Sequence, residues 1–480
     1  MTFGLADMGG YLPLLRLDRR AAARELAWTG LPMPRSGWRA VASWDEDPLT
    51  LAVEAARGLC GGDVPISLRF ASTSAYFTDR AQSAMALDAL ALPRSVRTSD
   101  FANTRRAGVS ALGDALLGQR DEIIMAAEKR PTQPGSAAQL AFGDGAAAVR
   151  TGPDGVARLV GHASLSHDLI DRYTSRDHRF SYAYEERFVR EVSVAQMYIP
   201  AVRAACESAG ITPMQLSHVA CAEPVSGTWR AAAKALGCTA SNTCETLTEL
   251  AGDLGAAHPL FGLGLALAAA QPGDFVLVAG FGSGIDTLVF EMLAPAPGCA
   301  AMVAALAEGQ VLSSYSRFLN LAESIALDWG MRAEFEQKAQ ATVLERIGRD
   351  MIGFIGGRDS LGTVQFPKSA MPVNPALAQP EMLDDVRLAD LEATIVSVTA
   401  DRLNFTPDPP FDFGLVQFAA AGPGGGARVL MEMVDRPPQG FAVGQPVRMR
   451  LRIKSQNVRL GFRTYFWKAA PLARPLLETA

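Results

Sequence analysis

Pro259 to Glu291 reads PLFGLGLALAAAQPGDFVLVAGFGSGIDTLVFE. An uncharged run of small and apolar residues stops at Gln271-Pro272-Gly273-Asp274, a second apolar run follows, and Gly282-Ser283-Gly284 breaks it from a third. The first run suits a helix buried on every side. Val276-Leu277-Val278-Ala279 suits a strand of a sheet covered on both faces. The same order occurs upstream, in RAGVSALGDALLGQRDEIIMAAE over Arg106–Glu128 and FGDGAAAVRTG over Phe142–Gly152. A repeated helix, turn, strand, Gly-rich turn and strand predicts a duplicated α/β sandwich with buried helices between its sheets. The alternative is two unrelated α/β segments, since the spacing of the two copies agrees only loosely.

The 480 residues, 49% hydrophobic and 20% charged, are those of a globular chain long enough for two or three domains. Basic residues number 45 and acidic ones 50, a formal charge of −5 that argues against nucleic acid as the main partner. No run of about 18 apolar residues predicts a membrane span, and the first residues do not read as a signal peptide. The six cysteines have no C-x-x-C spacing, which predicts a cytoplasmic, reducing setting rather than a disulfide framework.

Working outward, 1–164 and 165–299 form the two halves, and 300–357 reads as a mostly helical connector. From 358 onward the chain is rich in strands and turns. Val447-Arg448-Met449-Arg450-Leu451-Arg452-Ile453-Lys454 alternates apolar residues with four cations. With the turns GPGGG (422–426) and DRPPQG (435–440), this predicts a small antiparallel barrel. The cationic face is expected to be solvated, or else to bind RNA or a phosphate-bearing cofactor.

The first 300 or so residues resemble the hydroxymethylglutaryl-CoA synthase branch of the thiolase superfamily, relatives of ketoacyl-acyl-carrier-protein synthase III. The motifs that carry the resemblance are Met8-Gly9-Gly10-Tyr11-Leu12-Pro13, the segment Asp45–Arg57, Pro134-Gly135-Ser136 with Phe142–Ala148, Gly252–Ala257, Pro272-Gly273-Asp274 and Gly280–Gly284. The rest resembles acyl-CoA-associated OB-fold proteins, with a zinc-ribbon-like segment over 358–390 and an OB-fold over 391–480. The resemblance thus implies an α/β fold, a duplicated thiolase-like five-layer sandwich, fused to a C-terminal all-β OB-fold barrel.

The departures bear on function. The ribbon's paired ligand positions fall on Arg358, Leu361, Met371 and Asn374, none a thiolate, so no zinc is expected. The family's cysteine nucleophile, activated at a helix N-terminus, falls within about one residue of Arg105. Its histidine falls on Ala222, its acid/base glutamate on Thr73, and its second-half asparagine on Asp253. The cysteine, histidine and glutamate roles thus lose their usual side chains, and ordinary cysteine-dependent condensation is not expected.

The candidates that remain are Glu223, His258 and Asp253 for acid/base work. Arg105, Arg106, Thr104, Gly282, Ser283 and Gly284 are the candidates for substrate binding. A cation at a helix N-terminus wants an anion, so Arg105 or Arg106 is expected to grip a carboxylate or phosphate of the ligand, a buried Asp such as Asp253, or a structural partner. Cys221 reads as buried and inert, and Tyr182 and Tyr184 as aromatic packing in a cap over Asp177–Phe188. The resemblance implies acyl-CoA chemistry, forming or breaking a C–C bond without the cysteine. A coenzyme A thioester would be the substrate, no further cofactor is expected, and the chain would act as a homodimer or with a thiolase-type subunit. The alternative is a catalytically silent scaffold or acyl-CoA-binding subunit.

Overall fold

The computed structural model describes residues 3–31, 33–34, 36–328, 341–377, 379–404, 406–419, 425–457 and 461–472. The deciding stretch folds as helix His258–Ala269, strand Phe275–Phe281 and strand Gly284–Met292. Its upstream counterpart folds as helix Ala107–Leu117 and strands Glu122–Glu128 and Gly145–Gly152.

Nine strands make one mixed sheet in the order Leu216–Cys221, Phe275–Phe281, Gly284–Met292, Ala157–Ser166, Gly4–Tyr11, Gly145–Gly152, Glu122–Glu128, Ser67–Ala71, Arg97–Phe101. The halves join where Leu5 pairs with Ala157. The expected boundary at 164/165 falls inside Ala157–Ser166, a strand that pairs along its length with Gly284–Met292. Cross-strand partners, not a local turn, decide which half it serves.

The helices Ala107–Leu117 and His258–Ala269 touch strands of both halves and fill the centre. Their closeness requires a residue without a side chain at Gly108, where a Cβ would lie 2.9 Å from the Ala256 carbonyl oxygen. The helices Pro48–Ala56 and Gln82–Ala89 cover the first half, and Ile199–Ser208 and Thr228–Leu236 the second, completing five layers. Among the described residues, no helix is long and apolar enough to cross a membrane.

The connector is helical at Pro297–Ala307, Tyr315–Leu321 and Ala341–Gly353, and 329–340 lies outside the described residues. Its strand Gln310–Leu312 pairs in parallel with Leu15–Asp18, tying it to the first block. Farther on, Ile355–Arg358 pairs with Val364–Gln365 and Asp384–Arg387. Side chains brace this small sheet: Asp359 Oδ1 accepts from the Thr363 N–H at 2.8 Å, and Asn374 Nδ2 donates to Thr363 Oγ1 at 2.8 Å. Among the described residues, no group of three or more His, Cys, Asp or Glu could hold a metal ion.

The last strands form a closed circuit. Ala393–Ile395 pairs with Phe411–Phe418 and with Pro446–Asn457. Phe411–Phe418 also pairs with Thr399–Asp401 and Arg428–Glu432, and Pro446–Asn457 pairs with Phe462–Pro471. A parallel bridge between Met433 and Ala469 closes the ring, with the Val434 N–H donating to the Ala469 carbonyl at 2.9 Å. The GPGGG turn falls mostly within 420–424, outside the described residues.

This all-β part packs on the helix Pro48–Ala56, all nine of whose residues are buried. The two share one apolar core through residues such as Leu49, Ala52, Met449, Leu451 and Trp467. Through the same contact the cationic strand face is corrected for two of its members: Arg450 and Arg452 are neither solvated nor free for a ligand. Arg450 pairs with Glu54, and Arg452 Nη2 lies 3.0 Å from Glu46 Oε1 and 3.2 Å from Asp435 Oδ1. On the next strand, Lys468 Nζ lies 3.0 Å from Asp45 Oδ2, and the Tyr465 hydroxyl donates to Asp47 Oδ2 at 2.7 Å. Arg448 is half-buried, with its guanidinium on the Leu472 carbonyl, and Lys454 is exposed on Glu432. Alternation marks a face but not what covers it, and all the covering carboxylates but Asp435 lie some 400 residues upstream.

Removing one partner of a buried ion pair costs about 3–5 kcal/mol because the other charge is stranded. Arg452→Ala is therefore expected to lower the urea-unfolding stability by about that amount, while Arg448→Ala changes it by less than about 1 kcal/mol.

Candidate active site

A cavity of about 790 Å³ opens beside the N-terminus of the central helix Ala107–Leu117. Its wall includes Thr73 and Ser74, Asn103, Thr104 and Arg105, Phe142 and Asp144, Asp171 and Arg172, and Gly282 and Ser283. Seven lining side chains are cationic and four acidic, so the cavity favours an anion.

The cations concentrate where the nucleophile is sought. Arg105 pairs with Asp171. Arg130 Nη2 lies 3.3 Å from Asp253 Oδ1, and Arg172 Nη1 3.2 Å from Asp253 Oδ2. Arg172 Nη2 also donates to the Pro224 carbonyl at 2.9 Å. The Arg130 guanidinium sits 3.7 Å above the Phe142 ring, and its Nε and Nη1 have no hydrogen-bond partner among the described residues. Burial lowers the Arg172 pKa to about 10, helped by repulsion from Arg105 and Arg130. Burial also works against charge on Arg105 and Asp253. Asp171 and Asp253 outweigh it at Arg105 and keep that pKa above the ordinary value. Arg130 and Arg172 outweigh it at Asp253 and hold the carboxyl well below the usual range.

Thr104 Oγ1 donates to the Gly282 carbonyl at 2.7 Å, which ties the Gly-rich turn to this helix start. Gly282 has no room for a side chain: a Cβ would lie 2.6 Å from Thr104 Oγ1 and 2.9 Å from the Arg105 nitrogen. Thr73, in the glutamate slot, donates its N–H and its hydroxyl to Glu128 Oε1, each at 2.9 Å. The same oxygen accepts from the Ala256 N–H at 3.2 Å. Glu128 is fully buried and pins the Thr73 loop to the loop before the second central helix. The sequence reading missed it. The available signal was a lone carboxylate ending the apolar run Ile123–Ala127.

The structure thus brings Thr73, Thr104, Arg105, Gly282 and Ser283 together on the cavity and sets Asp253 behind its arginines. The remaining candidates lie off the wall. Arg106 turns away to Asp286, 3.4 Å off. Gly284 accepts from the Gly282 N–H across the turn at 2.9 Å. Ala222 packs against Tyr198, whose hydroxyl donates to its carbonyl. Glu223 accepts from the Gly227 N–H at 3.2 Å and from the Trp229 N–H, capping the helix Thr228–Leu236, and burial raises its pKa. His258 is buried: Nδ1 accepts from the Leu254 N–H at 3.2 Å, and Nε2 lies 3.2 Å from both the Cys244 carbonyl and Thr248 Oγ1. Burial lowers its pKa, so both ring nitrogens serve the loop. Tyr182 and Tyr184 are about half exposed on the cap.

None of the six cysteines lines the cavity, and all six are free thiols. Burial raises every one, Cys60 and Cys206 to about 11 and Cys299 to about 12, and Cys221, Cys238 and Cys244 upward as well. A thiolate nucleophile is therefore not at hand at neutral pH.

The chain is 26% identical over 306 residues to the hydroxymethylglutaryl-CoA synthase of Thermococcus gammatolerans, covering 60% of this chain and 86% of that protein. It is 26% identical over 357 residues to that of Aeropyrum pernix, covering 70% and 94%. Among solved structures, an HMG-CoA synthase complexed with CoA matches with a TM-score of 0.56 and 13% identity, over 71% of this chain and 95% of that one. The 3-oxoacyl-(acyl carrier protein) synthase III of Pseudomonas aeruginosa matches with a TM-score of 0.52 and 19% identity, over 62% and 100%. No family model matches. The fold is the thiolase-like α/β sandwich expected above, followed by an all-β region, and the sequence is similar to HMG-CoA synthases.

Asp253 has a lower pKa folded than unfolded. Its stabilisation is complete above the ordinary carboxylate range and is lost as pH falls towards the folded value. Asp253→Asn is expected to reduce stability at pH 7 by roughly 3 kcal/mol, and to flatten the fall in urea midpoint between about pH 5 and 2.

Proposed function

We propose that this thiolase-fold chain handles acyl-coenzyme A thioesters and acts on a C–C bond beside the thioester carbonyl without forming an acyl-enzyme. The observation that carries this reading is the cluster of Arg105, Arg130 and Arg172 standing where a thiol would be needed. Coenzyme A is itself polyanionic, and a C–C bond broken at Cα leaves an enolate whose oxygen a preformed cationic site stabilises. Decarboxylation asks least of the protein: the bond to the carboxylate breaks, its electron pair passes to the thioester oxygen, CO2 leaves, and Cα takes up a proton. Retro-aldol cleavage reaches the same enolate once the β-hydroxyl has given its proton to solvent.

The same reading takes the C-terminal circuit as an OB-fold. Supporting it is the pairing order: Ala393–Ile395 to Phe411–Phe418, that strand to Arg428–Glu432, Met433 just beyond it to Phe462–Pro471 in parallel, that strand to Pro446–Asn457, and Pro446–Asn457 back to Ala393–Ile395. It takes 358–390 as a zinc ribbon that has exchanged its metal for hydrogen bonds. A cytoplasmic setting and assembly as a homodimer or with a thiolase-type subunit belong to it too, the setting supported by six free thiols.

A second reading, a silent acyl-CoA-binding or scaffold subunit, is favoured by one observation. Each carboxylate on the wall is already held: Asp171 by Arg105, Asp144 by the Ala42 N–H and Arg39, Glu323 by Arg463, and Asp47 by Tyr465 and Arg463.

The full chain is assayed with malonyl-CoA and 3-hydroxy-3-methylglutaryl-CoA, following the thioester products by chromatography. Cleavage is expected with at least one, unchanged after iodoacetamide treatment, and Arg130→Ala is expected to weaken thioester binding about tenfold or more. Binding without turnover by either thioester selects the silent reading. Loss of turnover on alkylation overturns the non-covalent one.

A further inference from the structure

The C-terminal barrel reaches the cavity. Arg463, at the start of the strand Phe462–Pro471, is a buried part of its wall. Its guanidinium lies 3.4 Å from Asp47, which caps the helix Pro48–Ala56, and 3.1 Å from Glu323 of the connector. Its Nε donates to Gln456 at 3.1 Å. Held from three sides, it stacks 3.7 Å over the Tyr76 ring, which also meets Phe77 edge-on at 4.9 Å. Tyr76 lines the cavity three residues after Thr73, and its hydroxyl has no hydrogen-bond partner among the described residues.

This sets Tyr76 apart from its neighbours. Thr73 and Ser74 spend their hydroxyls on Glu128, and Thr104 on Gly282. Lys129 donates to the Ser43 and Glu46 carbonyls, each at 3.0 Å. Tyr173, the other phenol on the wall, stands half exposed on a two-stranded hairpin against Tyr182. A phenol is a far stronger acid than an aliphatic hydroxyl and can donate or accept.

We propose that Tyr76 is the catalytic acid of this cavity and that Arg463, supplied by the C-terminal barrel, is its positioning residue. The inference rests on the thioester-cleaving function proposed above and names the proton source that function needs. The electron pair of the broken C–C bond lies on the thioester enolate. As the carbonyl re-forms, Cα takes the proton from the Tyr76 hydroxyl, and the phenolate regains one from water at the cavity mouth. No oxidant or further reactant enters.

The test uses the full chain and whichever of malonyl-CoA and 3-hydroxy-3-methylglutaryl-CoA it cleaves. Tyr76→Phe is expected to lower kcat roughly 100-fold or more while thioester Kd stays within about twofold. Arg463→Gln is expected to lower kcat with KM unchanged, and Arg463→Lys, which keeps a cation over the ring, to recover most of it. Turnover within threefold of wild type in Tyr76→Phe overturns the acid. An Arg463→Gln loss confined to KM, or one that lysine does not restore, overturns the positioning. Failure of the wild-type chain to cleave either thioester overturns the parent function and this role together, a pattern distinct from the loss of either residue's role alone.

Discussion

Four carboxylates of one short segment, Asp45, Glu46, Asp47 and Glu54, are buried against Arg450, Arg452, Arg463 and Lys468 of the last two strands. Neither set could stay charged in an apolar interior alone; each makes the other's burial tolerable. The balance is visible within the layer. Burial pushes Glu46 up despite Arg452, whereas at Glu54 the pull of Arg450, Arg57 and Arg452 outweighs burial and holds the carboxyl below its ordinary range. The layer continues into an apolar core common to the helix Pro48–Ala56 and the barrel, so separating the two parts would expose apolar surface and strand charges at once.

This interlock reaches the cavity because Asp47 stands at both. It caps the helix through the Thr50 N–H at 3.1 Å, accepts from Tyr465 of the barrel and lines the cavity beside Arg463. The barrel is thus part of the wall rather than an appendage. A second ionic cluster, of three arginines around Asp171 and Asp253, ties the start of the central helix to the Pro224 loop, with Thr104 holding the Gly-rich turn beside it. This part of the wall gathers positive charge from three arginines. That charge is suited to holding an anion.

Much of the fold was legible along the chain. Helices rich in small residues followed by apolar strands predicted central helices between sheets, and Ala107–Leu117 and His258–Ala269 occupy that centre. No thiol stands near Arg105 in the sequence, and none of the six cysteines lines the cavity. Less legible was where side chains point. Glu223 and His258 have acid/base chemistry, but one caps a helix and the other ties a loop, and no spacing distinguishes those duties from catalysis. Glu128, Arg130, Arg172 and Tyr76 bore no motif, and each gains its position from contacts with segments far away in the chain.

Local pattern by itself determined the layered α/β architecture and the all-β tail, because periodicity and residue type are properties of neighbours along the chain. Tertiary structure alone decided that the tail's cations are buried against Asp45, Glu46 and Glu54, that the arginines converge on Asp253, and that Arg463 rests on Tyr76. Those outcomes are pairings between charges as much as some 400 residues apart, and a charge in a sequence does not say which opposite charge will share its burial.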